Sequence, residues 1–288
     1  MDYKTYHIPV LIHQLMDRFE LSKDAIICDG TMGFAGHASE ILNQYPNCHY
    51  YGFDKDIEAI EIARKRCADF PNVTIINQPF STMVDFIENN HIQPTHLLLD
   101  LGVSSFQIDQ SKRGFTFQKD EPLDMRMDMS ASLTAKTVLS EYSKEALITI
   151  FQEEGDIKFP NQLVDEISKA RVKSQLNTTF DLVECVKRGS FVKSRRQFIS
   201  MCTKVFQAIR IEVNGEMEEL RHALSKLLTL SNVMVAVITF QPNEDRLVKA
   251  FVKEHQLQRI SKKPIQASYQ EAKKNPREKS AKLRIFKV

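Results

Sequence analysis

A short apolar run passes directly into a glycine-rich turn in the stretch Ala25-Ile26-Ile27-Cys28-Asp29-Gly30-Thr31-Met32-Gly33-Phe34-Ala35-Gly36-His37. A buried strand that ends in an acid and a glycine-rich turn is how an α/β sheet presents backbone amides to a nucleotide-like cofactor. The spacing matches neither G-x-G-x-x-G nor a phosphate loop that ends in Gly-Lys-Ser/Thr, so the turn favours a nucleoside cofactor without phosphate. S-adenosylmethionine is the commonest such molecule, and a plain strand-to-helix connection is the alternative.

Length and composition predict a soluble globular protein. The 288 residues, 42% of them hydrophobic, suffice for one large domain or two ordinary ones. No run approaches the roughly 18 apolar residues of a membrane helix, and residues 1–5 lack the apolar character of a signal peptide, so we expect a cytoplasmic protein. The five cysteines include no C-x-x-C pair, which argues against a disulfide framework, and no metal is expected.

Positive charge is concentrated in two parts of the chain. Residues 246–288 contain 13 Lys or Arg against 3 Glu and no Asp. Residues 187–204 contain six Lys or Arg and no acid, interleaved with Phe191 and Phe198. Cations beside aromatic rings are typical of a surface that binds nucleic acid, because cations neutralise phosphates and rings stack on bases. A solvated surface without a partner is the alternative.

Alternating short apolar and longer amphipathic segments predict a doubly wound α/β sheet. Strands are expected at 25–28, 49–53, 73–76 and 96–99, with helices at 38–45, 56–69 and 81–91 between them. The alternation then stops, and helices are expected at 144–153, 161–172 and 179–187 before strand character returns at 233–240 and 282–288. Residues 261–274 come nearest in this chain to a flexible linker.

The simplest domain organisation is one sheet interrupted by a helical insertion. The expected sheet domain covers residues 1–105 and 211–288, and the inserted helical domain covers residues 106–210. Two sequential domains are the alternative, although the late strands alone are too few for an independently stable sheet.

Two acids are expected at the carboxyl edge of this sheet. Asp54 closes the second strand, where a carboxylate can accept hydrogen bonds from both hydroxyls of a ribose. Its alternative role is to cap the next helix, a role that Asp56 can fill instead. Asp100 ends the fourth strand and is followed by Ser104 and Ser105, a group that can orient a nucleophile or form an ordinary turn.

Short motifs along the whole chain form a set that is specific in its order and spacing. They are His7-Ile8-Pro9-Val10-Leu11, Asp100-Leu101-Gly102-Val103-Ser104-Ser105-Phe106-Gln107-Ile108-Asp109, Arg113-Gly114-Phe115-Thr116-Phe117, Pro122-Leu123-Asp124-Met125-Arg126-Met127-Asp128, Phe206-Gln207-Ala208-Ile209-Arg210-Ile211-Glu212-Val213-Asn214, Glu244-Asp245-Arg246, Asn275-Pro276-Arg277 and Ser280-Ala281-Lys282-Leu283-Arg284. The set resembles the MraW family of bacterial S-adenosylmethionine-dependent methyltransferases. The resemblance extends from residue 7 to residue 286.

The resemblance implies a substrate and a cofactor site. The family methylates the exocyclic N(4) amine of one cytosine in the decoding centre of 16S ribosomal RNA, so the implied partner is that RNA or the small ribosomal subunit. The implied fold is a class I (Rossmann-like) methyltransferase sheet with an inserted helical domain. The residues that the family pattern assigns to S-adenosylmethionine are Ala35, Gly36, His37, Asp54, Phe80, Asp100 and Gln107. The same pattern places the segment 124–128 near the active-site mouth, whereas alone it indicates a loop with a core methionine pair.

Three positions depart from the family pattern. Phe34 stands where a glycine is usual, so the turn must keep a negative φ there or place the ring beside the cofactor. Lys204 replaces an arginine, which keeps the charge and loses a bidentate fork for phosphate. Gln241-Pro242-Asn243 replaces His-Ser-Leu, and Gln241 cannot titrate as a histidine does.

Our mechanistic hypothesis makes Asp100, helped by Ser104 and Ser105, the acceptor for the amine proton. The target base must leave its stack to reach such a pocket, and the helical insertion and the basic tail are expected to bind the RNA around it. Two other functions remain open: an RNA-binding or ribosome assembly factor with weak or lost catalysis, and an amino-methyltransferase acting on another nucleic acid. The chain lacks the Asp-Pro-Pro-Tyr motif of many enzymes of the latter kind. A homodimer is also left open.

Overall fold

Seven strands form a single sheet in the computed structural model, which describes residues 9–288, with Ser105 described by its backbone alone. His7 and Ile8 of the first motif lie outside the described residues. The strands are β1 (Ile26–Asp29), β2 (His49–Phe53), β3 (Val73–Ile76), β4 (His96–Asp100), β5 (Met234–Thr239), β6 (Gln258–Arg259) and β7 (Lys282–Lys287).

The strand order is β3-β2-β1-β4-β5-β7-β6. Strands β1 to β5 are parallel, while β7 lies antiparallel to both β5 and β6. The order reverses between β1 and β4, which are neighbours in the sheet although β2 and β3 separate them in the chain. A ligand of an open α/β sheet binds at such a reversal, outside the carboxyl ends of the strands.

Helices connect and cover these strands. They are α1 (Ile12–Met16), α2 (Gly36–Gln44), α3 (Ile57–Arg66), α4 (Met83–Asn89), α5 (Ser105–Asp109), α6 (Ala135–Glu141), α7 (Lys144–Glu153), α8 (Asn161–Val172), α9 (Thr179–Gly189), α10 (Arg195–Asn214), α11 (Glu216–Leu227), α12 (Pro242–Glu254) and α13 (Tyr269–Lys274), with 3-10 turns at Phe80–Thr82 and Pro276–Lys279. No helix of residues 9–288 has both the length and the apolar character needed to span a bilayer.

The chain divides into two compact units. The sheet unit comprises the described residues up to Gly102 together with Met217–Val288, and the helical unit comprises Val103–Glu216. The second boundary falls later than the expected 210/211 because α10 continues through Arg210 to Asn214, and Gly215 directly after it has a φ of 60°. A left-handed residue after the last turn is what stops a helix, and glycine adopts that conformation without strain.

Two parts of the sequence prediction were wrong about local structure. Residues 261–274 are not a flexible linker, because Ser268 and Glu271 form a capping box that starts α13 and Ile265 forms a β-bridge with Leu283. The short strand β6 was not predicted at all. Its two residues are exposed and it pairs only with β7, so it carries no apolar alternation for a sequence pattern to detect.

Each unit has its own apolar core. In the sheet unit successive residues of β4 alternate between faces, so Leu97 and Leu99 pack in one cluster and Leu98 in another. In the helical unit a separate cluster includes Met125, Phe151 and Phe206. Met125 is fully buried there, and Met127 is also buried, which agrees with the core-methionine interpretation of segment 124–128.

Candidate cofactor site at the carboxyl edge of the sheet

The glycine-rich turn follows β1 and begins with a close approach of side chains to Gly30. A Cβ at Gly30 would lie 2.5 Å from Leu99 Cδ2 and 2.7 Å from Phe80 Cβ. This glycine is therefore required by packing against β4 and the Phe80 turn. Phe80 is partly buried beside Gly30 and packs against the apolar cluster that contains Leu97 and Leu99.

The turn then passes through two left-handed residues. Gly33 has φ 51° and Ala35 has φ 57°, whereas Phe34 between them is not among the residues with positive φ. Phe34 is 9% exposed and its carbonyl accepts a hydrogen bond from Arg66 Nη1 at 3.4 Å. Of the two possibilities for this departure, the backbone thus keeps a negative φ. Helix α2 begins at Gly36, directly after the left-handed Ala35.

Asp29 organises the start of the turn through a network that the sequence motif did not reveal. Its Oδ1 accepts hydrogen bonds from Thr31 N at 2.9 Å and from Thr31 Oγ1 at 3.3 Å. Its Oδ2 accepts a hydrogen bond of 2.7 Å from the buried Tyr50 hydroxyl. Burial raises the pKa of Asp29 to about 6, against the lowering effect of these hydrogen bonds. Asp29 therefore stabilises the turn, and only pairing of β1 with β2 brings Tyr50 to it.

Asp54 follows β2 and binds the same turn. Its Oδ2 accepts a hydrogen bond from Gly33 N at 2.8 Å, and its Oδ1 accepts one from Asp56 N at 2.8 Å. Each carboxylate oxygen keeps a second lone pair for a further donor such as a ribose hydroxyl. Burial raises the pKa of Asp54 to about 6. Asp56 caps α3 by accepting a hydrogen bond from Glu58 N, which is the role that the sequence analysis offered to Asp56.

Asp100 ends β4 with a carboxyl group that is poorly satisfied. Its Oδ1 is buried and has no hydrogen-bond partner among the described residues. Its backbone N donates to Thr31 Oγ1 at 2.5 Å, so Thr31 links the end of β4 to Asp29. The pKa of Asp100 lies well above its ordinary value because the carboxyl group is desolvated and because Asp29 and Glu244 add negative charge nearby.

His37 lies against the same carboxyl group. Its Nδ1 is 3.7 Å from Asp100 Oδ2, and its Nε2 is 3.0 Å from the carbonyl oxygen of Val10. Burial lowers the pKa of the His37 ring to about 4. The ring of His37 is thus held between the Val10 carbonyl and Asp100, an arrangement that no local sequence pattern indicates.

Ser104, Ser105 and Gln107 belong to the helical unit and begin α5. Ser104 N donates to Gln107 Oε1 at 2.9 Å, and Gln107 N donates to Ser104 Oγ at 3.2 Å. This reciprocal capping box uses the side chains of Ser104 and Gln107. For Ser104 this is the local hydrogen bonding that the ordinary-turn alternative predicts. The structure brings Ala35, Gly36, His37, Asp54, Phe80 and Asp100 together within the sheet unit.

The remaining departures from the family pattern have structural partners. Gln241 begins α12, where Glu244 Oε2 accepts hydrogen bonds from Phe240 N and Gln241 N and Pro242 occupies the first turn. Lys204 Nζ donates to the Asp156 carbonyl oxygen at 2.8 Å and lies 3.4 Å from Asp156 Oδ2. Through Asp156, Lys204 therefore stabilises the loop that follows α7.

Two of the sequence motifs are held by ion pairs. Asp245 accepts hydrogen bonds from Arg284 Nε at 2.7 Å and from Lys282 Nζ at 3.2 Å, which joins α12 to β7. In the helical unit Arg126 forms a bidentate pair with Asp124, its Nη2 lying 2.7 Å from Asp124 Oδ2. The residues 9–288 contain no group of three or more His, Cys, Asp or Glu side chains arranged to hold a metal ion.

Taken together, the strand order with an antiparallel β7, the glycine-rich turn after β1 and the acid after β2 define an S-adenosylmethionine-dependent methyltransferase of the Rossmann-like type. The model of the MraW methylase family matches residues 4–288, and the chain belongs to that family.

The chain is similar to relatives over nearly its whole length and only weakly similar to solved structures. The chain is 39% identical to "Ribosomal RNA small subunit methyltransferase H" of Thermotoga neapolitana, over 99% of this chain and 97% of the relative. It is 38% identical to "Ribosomal RNA small subunit methyltransferase H 1" of Acholeplasma laidlawii, over 97% and 98%. An rRNA methylase structure from Streptococcus thermophilus superposes with a TM-score of 0.41 at 10% identity, covering 98% of both chains. Since that score is low, the assignment does not depend on it.

Proposed function

We propose that this protein transfers a methyl group from S-adenosylmethionine to the exocyclic N(4) amine of a cytosine in the decoding centre of 16S ribosomal RNA. The observation that carries the proposal is the carboxyl group of Asp100, which ends β4 beside the glycine-rich turn with one oxygen unpartnered among the described residues. The printed names of the relatives supply the class of substrate. The motif resemblance supplies the base and its place in the RNA.

The cofactor site is assigned to one edge of the sheet. We assign S-adenosylmethionine to Ala35, Gly36, His37, Asp54, Phe80 and Asp100 of the sheet unit. The family pattern alone adds Gln107 of the helical unit. Asp54 supports the ribose role because both of its oxygens keep a lone pair beyond their bonds to the backbone. Within residues 9–288, neither Asp29, Asp54 nor Asp100 has a Lys or Arg nitrogen within 4 Å. A site with uncompensated acids suits a ligand whose reactive sulfur is positively charged.

The chemistry requires an acceptor for a proton. When bound, S-adenosylmethionine supplies an electrophilic methyl group on sulfur, and the sulfur keeps the bonding pair as the methyl joins the amine nitrogen. The lone pair of the exocyclic amine of cytosine is delocalised into the ring. An acceptor must therefore take a proton from this amine as the bond between nitrogen and methyl carbon forms. We assign that role to Asp100, whose side chain is 23% exposed although its Oδ1 is buried, so that Oδ2 remains reachable. The orientation of the two reactants and the electrostatic stabilisation of the transition state account for the rest of the rate enhancement.

Ser104 and Ser105 are kept as supporting residues of this centre. Ser104 Oγ uses a lone pair for Gln107 N, and its hydroxyl hydrogen is still able to donate. Their contribution is secondary to that of Asp100, because a hydroxyl is a far weaker base than a carboxylate.

The helical unit carries a surface suited to RNA at the connection between α9 and α10. Phe191 is 85% exposed, and Lys193, Arg195 and Arg196 beside it in the chain are exposed as well. No Asp or Glu of the described residues pairs with these three cations, whereas the nearby Arg188 is paired with Glu184 at 3.0 Å. An exposed ring among unpaired cations can stack on a base while the cations bind phosphates.

A second basic surface belongs to the sheet unit. Tyr269 is 85% exposed at the start of α13, and the lysines of this region are exposed around it in the chain: Lys262, Lys263, Lys273, Lys274 and Lys279. This surface supports the prediction that the basic tail contributes to RNA binding.

The direct test is to map N(4)-methylcytidine on small-subunit RNA from cells with and without this protein. We expect one mark in the decoding centre to disappear, and purified protein with S-adenosylmethionine to restore it on small subunits or on naked RNA. An unchanged mark would favour another nucleic acid as substrate. Binding to small subunits without any binding of S-adenosylmethionine in calorimetry would favour an assembly factor.

A further inference from the structure

A hydrogen bond at the ring nitrogen that is farther from Asp100 orients the side chain of His37. Its Nε2 lies 3.0 Å from the carbonyl oxygen of Val10, and both residues are buried. A carbonyl oxygen can only accept, so Nε2 must carry the hydrogen. In the neutral ring the other nitrogen, Nδ1, is then an acceptor with a lone pair.

This lone pair points toward an oxygen that is also an acceptor. His37 Nδ1 lies 3.7 Å from Asp100 Oδ2, slightly beyond hydrogen-bond distance. A neutral imidazole nitrogen and an ionised carboxylate repel each other at this separation, whereas one proton on either atom makes the contact favourable. Because Asp100 Oδ1 has no partner among the described residues, that oxygen does not prevent the carboxyl group from turning toward His37.

The surrounding charges also favour a proton at this place. Asp29 on β1 and Glu244 on α12 face Asp100 and raise its pKa, in addition to desolvation. Asp29 is itself buried and accepts hydrogen bonds from Tyr50 and Thr31. On β7, Lys282 and Arg284 are both paired with Asp245.

We propose that Asp100 and His37 hold one proton between Asp100 Oδ2 and His37 Nδ1 until S-adenosylmethionine binds, and that binding of this positively charged cofactor releases the proton to solvent. The inference rests on the proposed cofactor site and goes beyond it. It makes His37 a positioning residue that acts through Asp100, where the family pattern counts it only with the cofactor residues. It also means that the base becomes a carboxylate only when the methyl donor is present.

The test compares two ligands that differ in charge at sulfur. S-adenosylmethionine is positive there and S-adenosylhomocysteine is neutral, while their amino acid parts titrate alike. If one proton is released, affinity for S-adenosylmethionine should rise by about tenfold per pH unit below the apparent pKa of the pair. Affinity for S-adenosylhomocysteine should rise distinctly less. Calorimetry from pH 6 to pH 8.5, in buffers of different ionisation enthalpy, measures both the affinity and the number of protons released.

Variants of the two residues separate a proton-holding role from a structural one. Asp100→Asn cannot ionise, so both ligands should then show the same pH dependence. His37→Gln can keep the hydrogen bond to the Val10 carbonyl but has no Nδ1 to share the proton of Asp100. The pH dependence of S-adenosylmethionine affinity should therefore move to lower pH while the protein stays folded. His37→Asn places an amide near the Nδ1 position and should restore part of the wild-type profile.

His96→Gln is the matched control. His96 is also a buried histidine with a lowered pKa, at the start of β4. Replacement of His96 should leave unchanged the difference in pH dependence between S-adenosylmethionine and S-adenosylhomocysteine binding. Equal pH dependence of the two ligands in the wild-type protein, with normal affinity, would overturn the proton-holding pair alone. Failure of both ligands to bind at any pH would overturn the cofactor assignment as well.

Discussion

The carboxyl edge of the sheet and the α9–α10 connection of the helical unit use charge in opposite ways. At the sheet edge Asp29, Asp54 and Asp100 are poorly solvated, and burial raises the pKa of each. At the α9–α10 connection Phe191, Arg195 and Arg196 are exposed to solvent. Desolvated acids can exchange protons near neutral pH, whereas solvated cations can only attract a polyanion. The comparison therefore separates the region that we propose performs the chemistry from the region that we propose binds RNA.

The largest expected effect comes from Asp100→Asn. The amide cannot take a proton from the amine, so we expect methylation to fall by about 10²-fold to 10⁴-fold, the range usual for a lost general base. RNA affinity should be unchanged because the substitution leaves the helical unit intact. Single-turnover assays on small-subunit RNA, together with filter binding, measure both quantities. A variant with normal turnover would remove Asp100 from the chemistry.

The combined change Phe191→Ala, Arg195→Ala and Arg196→Ala should give the opposite result. We expect RNA affinity to fall roughly tenfold or more and its salt dependence to weaken, since stacking and two phosphate contacts are lost. Calorimetry should show unchanged affinity for S-adenosylmethionine. The control is Lys187→Ala with Arg188→Ala, which removes two cations that Glu184 already pairs. Equal losses in both variants would show a general effect of charge instead of a defined surface.

Tyr50→Phe tests the buried network beneath the glycine-rich turn. The change removes the 2.7 Å hydrogen bond to Asp29, so we expect a loss of about 1–3 kcal/mol in the free energy of unfolding. The pKa of Asp29 is about 6 in the folded protein, above its ordinary 3.8, so its ionisation destabilises the fold as pH rises through this interval. The variant raises that pKa further, and the loss should be greater at pH 8 than at pH 5.

Urea unfolding at the two pH values measures this difference. Tyr51→Phe alters the neighbouring tyrosine, which contacts Phe86 on the other side of β2, and serves as the control. An equal loss at both pH values would mean that Asp29 is not the group affected.

The smallest effect is expected from Lys204→Ala. Its side chain is 38% exposed and its ammonium group is paired with Asp156, so we expect at most about 1 kcal/mol of lost stability. RNA affinity should change much less than in the α9–α10 variant. A larger loss of RNA affinity than that caused by the Phe191 variant would extend the RNA surface along α10.

Local patterns were enough to predict most elements of the sheet. The strands β2 and β3 have the predicted bounds, and β1, β4, β5 and β7 differ from prediction by one residue at one or both ends. Apolar runs flanked by amphipathic segments carry this information because buried parallel strands must be apolar on both faces. Strand β6 and the capped helix α13 were missed, since the first has only exposed residues and the second begins through side-chain bonds rather than apolar periodicity.

The sequence by itself determined the alternation of strands and helices, the turn after β1, and the acids at the ends of β2 and β4. Each of these follows from residue type and spacing along the chain. Only the tertiary structure decided that Tyr50 satisfies Asp29, that Asp54 holds Gly33, and that His37 faces Asp100. Those contacts join residues 21 or more positions apart through strand pairing and burial, and desolvation shifts a pKa only after the fold has removed water from the group.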